Sequence, residues 1–442
     1  MKKIIAFLLL LSLLPIAKGQ DTKLNDYLYK LYNTDKLMAS VAVSKNGRVD
    51  FEKGYGHLNY KSKEWGTVNA YTKYRIGSIT KTFTATMIMQ LVEKGALSLD
   101  TKLSKFFKDV PNASKITIEQ LLNHHSGIGD FTKSSTYLIS SFDETSKASL
   151  IAKIATAPTS FKPGEKGEYS NSNFVLLGFI VESISGMGYD LAVQRMIVDK
   201  LGLKDTYYGM DATPERNEAT SFSLSTSGWK KLPETHMSIP GGAGGIVSTP
   251  ADLCTFIYGL FNGKLVSEAS LDKMISLQDG FGLGIFEYKT ANKTLYGHTG
   301  AIDGFASMLV YDPSTKTAVA LCANGVNYNT KDATYDLYKI SQGMSVGTPD
   351  VEKIKVDKDK LPLYTGQFYS QELGAMLSVD HIDQTLMARL DGQGAFPLTP
   401  VKEEQFVYDL YEVKIDYEDL DGNAFNRLKL TQGTKVVVFE RR

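Results

Sequence analysis

Arg75-Ile76-Gly77-Ser78-Ile79-Thr80-Lys81 sets a serine and a lysine three residues apart at the start of a helix-patterned segment. Positions i and i+3 share one face of a helix, so the hydroxyl and the ammonium are within reach of each other. A serine is a weak nucleophile until a neighbour takes its proton, and a lysine held close can take it or assist another base. A helix start also offers unpaired N–H groups and the positive end of the dipole, where an oxyanion would form. Alone, the spacing fits an N-cap serine and a surface lysine equally well. Two later segments decide between these readings.

The first is Pro163-Gly164-Glu165 followed by Tyr169-Ser170-Asn171. A phenol beside an ammonium can have its pKa lowered enough to carry a proton. An asparagine two residues on, in an extended turn, can offer its amide to a substrate backbone. The second is His298-Thr299-Gly300, which ends a strand pattern at Thr294 to Tyr296 and precedes Ala301. Gly300 would let a substrate approach the backbone closely. The Ala301 N–H could face the same oxyanion as the Ser78 N–H. Singly, these residues fit a buried tyrosine, a turn asparagine and a strand-end histidine. Together and in this order they fit a catalytic cleft.

The ordered set Ser78-x-x-Lys81, Tyr169-x-Asn171 and His298-Thr299-Gly300 resembles the penicillin-recognising serine hydrolases. The similarity is to the branch of class C β-lactamases, D-alanyl-D-alanine carboxypeptidases, D-aminopeptidases and esterases. Leu121 to Gly127, Asn173 to Gly178 and Gly244 to Thr249 add to it, and it spans about Leu37 to Val326. The resemblance implies Ser78 as acylated nucleophile, with Lys81 and Tyr169 sharing the proton traffic and Tyr169 the base. It implies Asn171, His298, Thr299 and Gly300 as substrate contacts, and the Ser78 and Ala301 N–H groups as oxyanion hole. Two-step acyl transfer of this kind needs no metal and no organic cofactor. Class C β-lactamases carry a lysine where this chain has His298. An unperturbed imidazole, with a pKa of about 6.5, is mostly neutral at neutral pH. A peptide containing D-amino acids, or an ester, is therefore the first substrate expectation. β-Lactam hydrolysis, or a slowly turning-over penicillin-binding receptor, is the alternative. For a carboxylate-bearing substrate, KM is expected to rise as pH climbs past the His298 pKa.

Patterning outside these motifs predicts an α/β fold. A hairpin is expected near Ala39 to Tyr60, turning at Lys45-Asn46-Gly47. An amphipathic helix is expected over Ser78 to Lys94, with Gly95 as its stop. Helices are read at Ile118 to Asn123, Ser172 to Ser185, Thr249 to Leu260 and Lys331 to Gln342. Strands are read at Phe281 to Tyr288, Thr294 to His298, Ala306 to Asp312 and Thr317 to Ala323. Strands at both ends of a helical centre imply one sheet built from both ends of the domain, with the helices as a second lobe and a site in the cleft between them. The resemblance implies that this is the β-lactamase/transpeptidase-like fold, an antiparallel sheet flanked by helices with a mostly helical lobe. A linker is read over 343–360, after a hydrolase domain over 20–342. Short alternating strands over 361–442 predict a small β-barrel or sandwich; this tail resembles the lipocalin-like domain attached to some members of the branch.

The start of the chain reads as a secretory signal peptide over 1–19: Lys2 and Lys3, an apolar run from Ile4 to Ala17, and a small residue at the cut after Gly19. An exported protein, periplasmic or secreted, without a membrane span after cleavage is the expectation. Lysine plus arginine equal aspartate plus glutamate, 49 each, and no basic cluster points to nucleic acid. Cys254 and Cys322 both lie in core-like patterns, which favours two free thiols over a disulfide. His124-His125 lacks the spacing of a zinc site and reads as a helix ending before Ser126-Gly127. G-x-S-x-G, H-E-x-x-H and a complete P-loop are missing from the chain.

Overall fold

A computed structural model describes residues 19–442 apart from 60–65, 135–136, 211, 226–227, 291–292, 348–355, 383–384, 392–394, 409–412 and 433–434. The apolar run read as a signal peptide and residues 348–355 of the expected linker fall outside the described residues.

One antiparallel sheet carries the main body. Its central order is Arg48–Tyr55, Leu37–Lys45, Thr317–Val326, Phe305–Asp312, Thr294–Ile302 and Phe286–Lys289. The first two strands form the expected hairpin, with Lys45 opposite Arg48 and positive φ at Asn46 (53°) and Gly47 (77°). Two such residues give the turn whose twist matches the strands.

Both faces of the sheet are covered, so its central strands are buried and mostly apolar. Val41, Val43, Val319, Leu321, Met308 and Val310 pack under a helix over 19–33 and under Thr330–Ser341. The alternate positions Ala42, Ala320, Cys322 and Leu309 face the helical lobe. Small side chains there admit the helix Pro250–Phe261, whose Cys254 Sγ lies 3.5 Å from the Ala42 carbonyl oxygen. Cys254 and Cys322 are free, buried thiols. Thr249 caps this helix by accepting from the Asp252 N–H, with Pro250 in its first turn.

Three sequence expectations change. The helix after Ser78 is Thr80–Glu93, preceded by a 3-10 turn at Gly77–Ile79. It is not amphipathic: every residue from Thr80 to Leu91 is buried. Its polar faces are threonines that find carbonyls, Thr82 donating to Gly284 at 2.8 Å and Thr84 to Gly242 at 2.7 Å. A buried helix with paired hydroxyls can show the same sequence pattern as a half-exposed one. The strand expected from Phe281 starts only at Phe286. Gly284, at φ +68°, makes a turn there, and its missing side chain leaves room for Ala85. The strand expected to stop at His298 runs on to Ile302, so His298-Thr299-Gly300 lies inside it.

The tail forms a closed antiparallel barrel of eight strands, from Gly366–Ser370 to Lys435–Arg441, and those two strands pair through Phe368 and Arg441. Closure leaves no open edge. Phe368, Phe406, Tyr417, Phe425 and Phe439 fill the interior, and Tyr364, from the short helix Leu361–Tyr364, packs 5.0 Å from Phe406. Among the described residues no single helix is long and apolar enough to cross a membrane.

Candidate active site

The Ser78 turn is seated by two close backbone approaches. Gly77 has φ +52°, and a Cβ there would lie 2.8 Å from the Ala301 nitrogen. A Cβ on Gly300 would lie 2.0 Å from the Ile76 carbonyl oxygen, which also accepts from Ser307 Oγ at 2.8 Å. The two glycines therefore let the Ser78 turn rest against the strand Thr294–Ile302. Gly300 was expected to make room for substrate; what it admits is the Ile76 carbonyl. The result brings Ser78 and Ala301 into the lining of one cleft of about 480 Å³, with Thr132, Asn171 and Asp303.

Lys81, one helical turn on, is fully buried. Its Nζ donates to Ser78 Oγ at 2.9 Å, to Asn171 Oδ1 at 2.8 Å and to the Ala243 carbonyl at 2.8 Å. Three acceptors match the three hydrogens of an ammonium and aim one of them at Ser78. Burial pushes the Lys81 pKa down to about 7, against the opposing pull of the Asp130 carboxylate. A lysine with that value has a large free-amine population near neutral pH.

Tyr169 is brought to the same place, but not in the expected state. The Lys81 ammonium sits over its ring face, 4.8 Å from the centroid. Burial pushes the phenol well above its ordinary pKa, and its hydrogen bond with Ser78 opposes that only in part. Burial raises the phenol where the sequence led to the expectation of a lowered one, so of the two groups the amine sheds its proton more easily. A neutral Tyr169 can still donate and relay a proton. Beneath it the His124 ring stacks at 4.4 Å, and His124 Nδ1 accepts from the Ser170 N–H at 3.1 Å. His124 does follow the helix Ile118–Leu122, in a left-handed conformation at φ +61°.

His298 and Thr299 part company, as alternation along a strand requires. Thr299 and Ala301 are exposed, whereas His298 is 2% exposed. The His298 ring lies 4.8 Å from Phe286 and 6.3 Å from Tyr169. Its Nδ1 hydrogen-bonds the Thr299 carbonyl, so Nδ1 carries the hydrogen and Nε2 is a bare acceptor, buried without a partner. Burial, then the Lys81 charge, push its pKa down to about 3. The expected change in KM near neutrality therefore loses its titrating group.

Asn171 opens the helix Asn171–Ser185, its Oδ1 on Lys81 and its Nδ2 donating to Asp130 Oδ2 at 3.0 Å and Thr132 Oγ1 at 3.3 Å. Asp130, Ala243 and His124 are the residues that motif reading did not assign to the site. Only the Gly-Asp step at 129–130, just after a stretch of the resemblance, hinted at the first. Among the described residues no His, Cys, Asp or Glu group could hold a metal ion.

A helical lobe on an antiparallel sheet, with a serine beside a buried amine in the cleft between them, defines a β-lactamase-fold serine hydrolase. The signature of the Beta-lactamase family matches residues 33–343, and the chain belongs to that family, the penicillin-recognising serine hydrolases. Penicillin-binding protein 4* of Bacillus subtilis (strain 168) is 25% identical over 414 residues, 86% of this chain and 89% of that protein. The crystal structure of a D-stereospecific amidohydrolase from Streptomyces sp. is similar at TM-score 0.62 and 27% identity, covering 74% of this chain and 99% of that one. An octameric penicillin-binding protein homologue from Pyrococcus abyssi, 24% identical, shares the fold at TM-score 0.64 over 94% of this chain and 99% of its own.

Proposed function

We propose that the chain is an exported serine hydrolase that transfers an acyl group to Ser78 and then to water, taking it from a D-amino-acid-containing peptide or amide, or from an ester. The observation that carries the reading is the buried Lys81 Nζ at 2.9 Å from Ser78 Oγ. As free amine, Lys81 takes the Ser78 proton while Oγ bonds to the acyl carbon. The developing oxyanion is received by the Ser78 and Ala301 N–H groups. Collapse breaks the bond to the leaving nitrogen or oxygen, which takes a proton through Tyr169 and Lys81. Water then repeats the sequence in reverse, freeing the acid and Ser78. Asn171 and Thr299 face the substrate.

The likeness to a D-stereospecific amidohydrolase supports an amide with a D-centre. The neutral, enclosed His298 supports ranking β-lactams second, because a drug carboxylate would find no cation there. The penicillin-binding relative favours a second reading, a receptor acylated by β-lactams and slow to release them. Mass spectrometry over time with D-amino-acid amides, esters and β-lactams, beside Ser78→Ala, decides. Turnover with a transient Ser78 adduct is expected for amide or ester. A stoichiometric, lasting β-lactam adduct alone would establish the receptor, and no Ser78 adduct at all would end both readings. Export is tested by the N-terminus of protein recovered outside the cytoplasm, expected at Gln20.

A further inference from the structure

The carboxylate of Asp130 has both oxygens fully used. Oδ1 accepts from the Thr132 N–H at 3.0 Å and from Thr132 Oγ1 at 2.8 Å. Oδ2 accepts from the Asn171 backbone N–H at 3.2 Å and from Asn171 Nδ2 at 3.0 Å. A carboxylate only accepts, so it can bind only the nitrogen end of the amide. The oxygen end is thereby turned onto Lys81, where Asn171 Oδ1 accepts from Nζ at 2.8 Å. A flipped amide would set its nitrogen against the ammonium and its oxygen against the carboxylate, two repulsive contacts in place of two hydrogen bonds. The anion also stands at the first turn of the helix Asn171–Ser185, where negative charge is favourable.

We propose that Asp130 is a positioning residue: through the Asn171 amide it fixes the direction of the Lys81 amine towards Ser78, and its charge keeps that amine a proton carrier. The proposal rests on the acyl-transfer reading given above. Asp130 does not itself line the cleft that holds Ser78. Its influence on Lys81 is one of several. Tyr169 meets the ammonium through its ring face, and His124 and His298 press on it from the loop and the strand. Both histidines are held neutral by burial and by Lys81 itself. Asp130 is thus the anion that favours the protonated lysine.

The test is pre-steady-state acylation by a chromogenic ester from pH 5 to 9.5, in wild type, Asp130→Asn and Asp130→Ala, with the Ser78 adduct confirmed by mass. Asparagine keeps the shape and loses the charge. Its acid limb is expected to move down by about half a pH unit or more, because an anion that favours the ammonium has gone. Alanine also frees the amide to rotate, and the plateau rate is expected to fall at least about tenfold, a loss of roughly 1.4 kcal/mol of transition-state stabilisation. A folded Asp130→Asn enzyme whose limb stays at the wild-type pH overturns the proposal, and so does a limb that moves up. A merely structural role would lower the unfolding midpoint and the amount of active enzyme without moving the limb. Should neither variant fold, Asn171→Ala severs the same relay. A displaced limb with slower acylation there supports the proposal, and a wild-type profile overturns it. Failure of wild type to form any Ser78 adduct would instead sink the acyl-transfer reading, so the two failures are distinct.

Discussion

Lys81 Nζ lies over the ring face of Tyr169, 4.8 Å from its centroid, while donating to Ser78 Oγ at 2.9 Å. The two candidate proton carriers are thus not equivalent. The ammonium is aimed at Ser78 Oγ, and burial pushes its pKa down to about 7 and the phenol up. Acylation should rise with pH through about 7, as the free amine forms, and Tyr169→Phe should keep that limb while losing roughly 100-fold or more in rate. Lys81→Met should lose both limb and burst. A limb that vanished with the phenol would restore Tyr169 as the base.

The same lowered pKa bears on folding. Between about pH 7 and the ordinary lysine value of 10.5, the unfolded chain holds a proton that the folded chain has released. Stability contributed by Lys81 therefore rises with pH across that window. From pH 7 to pH 9 the wild type should gain about 2 kcal/mol relative to Lys81→Met. Urea denaturation of both proteins at the two pH values measures this, and parallel changes would mean that the lysine is not depressed.

How much of this was legible in the sequence depends on what each residue touches. Ser78 and Lys81 are joined by helix geometry, which a three-residue spacing carries in full. The Asn46-Gly47 turn was legible for the same local reason, both residues taking positive φ. Gly300 was not, because its neighbour, the Ile76 carbonyl, comes from a segment 224 residues earlier. The pKa shifts of Tyr169 and His298 were not legible because burial sets them, and burial depends on Phe286 and His124 packing from elsewhere. The helix Thr80–Glu93 looked amphipathic because threonine counts as polar, whatever carbonyl it finds.

Gly77→Ala should separate binding from catalysis. The new methyl group would meet the Ala301 nitrogen at 2.8 Å on a backbone already at φ +52°. Either the turn or the strand must give way, and the two N–H groups proposed as the oxyanion hole part. Loss of one such donor lowers kcat by about 100-fold to 1000-fold. KM should change much less, since the walls of the cleft stay in place. Steady-state kinetics with an ester measures both, and a kcat within threefold of wild type would remove the Ser78–Ala301 pair from the oxyanion role.

Burial, then the Lys81 charge, push the His298 pKa down to about 3, which leaves the ring neutral from pH 5 upward. KM for a carboxylate-bearing substrate and for an uncharged ester should therefore run parallel from pH 5 to 9. An NMR titration of the His298 ring should show no protonation above pH 5. A divergence of the two KM curves centred near pH 6 to 7 would mean that the imidazole opens to solvent and charges when substrate arrives.

Thr84 tests how the core supports the chemistry. Its hydroxyl donates to the Gly242 carbonyl at 2.7 Å and meets the Tyr189 hydroxyl at 2.6 Å. Gly242 belongs to the turn Gly241–Gly244, whose Ala243 carbonyl receives one of the three Lys81 hydrogens. Gly178 and Gly242 lack side chains where that turn meets the helix Asn171–Ser185; a Cβ on Gly178 would lie 3.1 Å from the Gly242 Cα. Thr84→Val is close in shape but leaves a buried carbonyl and a buried phenol without their partner, a loss of roughly 2 kcal/mol or more. The turn that holds Ala243 on Lys81 would loosen with it, so acylation should slow several-fold with little change in KM. Thr84→Ser keeps the hydroxyl and should recover most of the rate, although it leaves a methyl-sized void. Recovery by serine, read beside the two unfolding midpoints, distinguishes loss of the hydrogen bond from loss of packing. If valine acylated at the wild-type rate while serine did not, the turn would be held by the Thr84 methyl group and not by its hydroxyl.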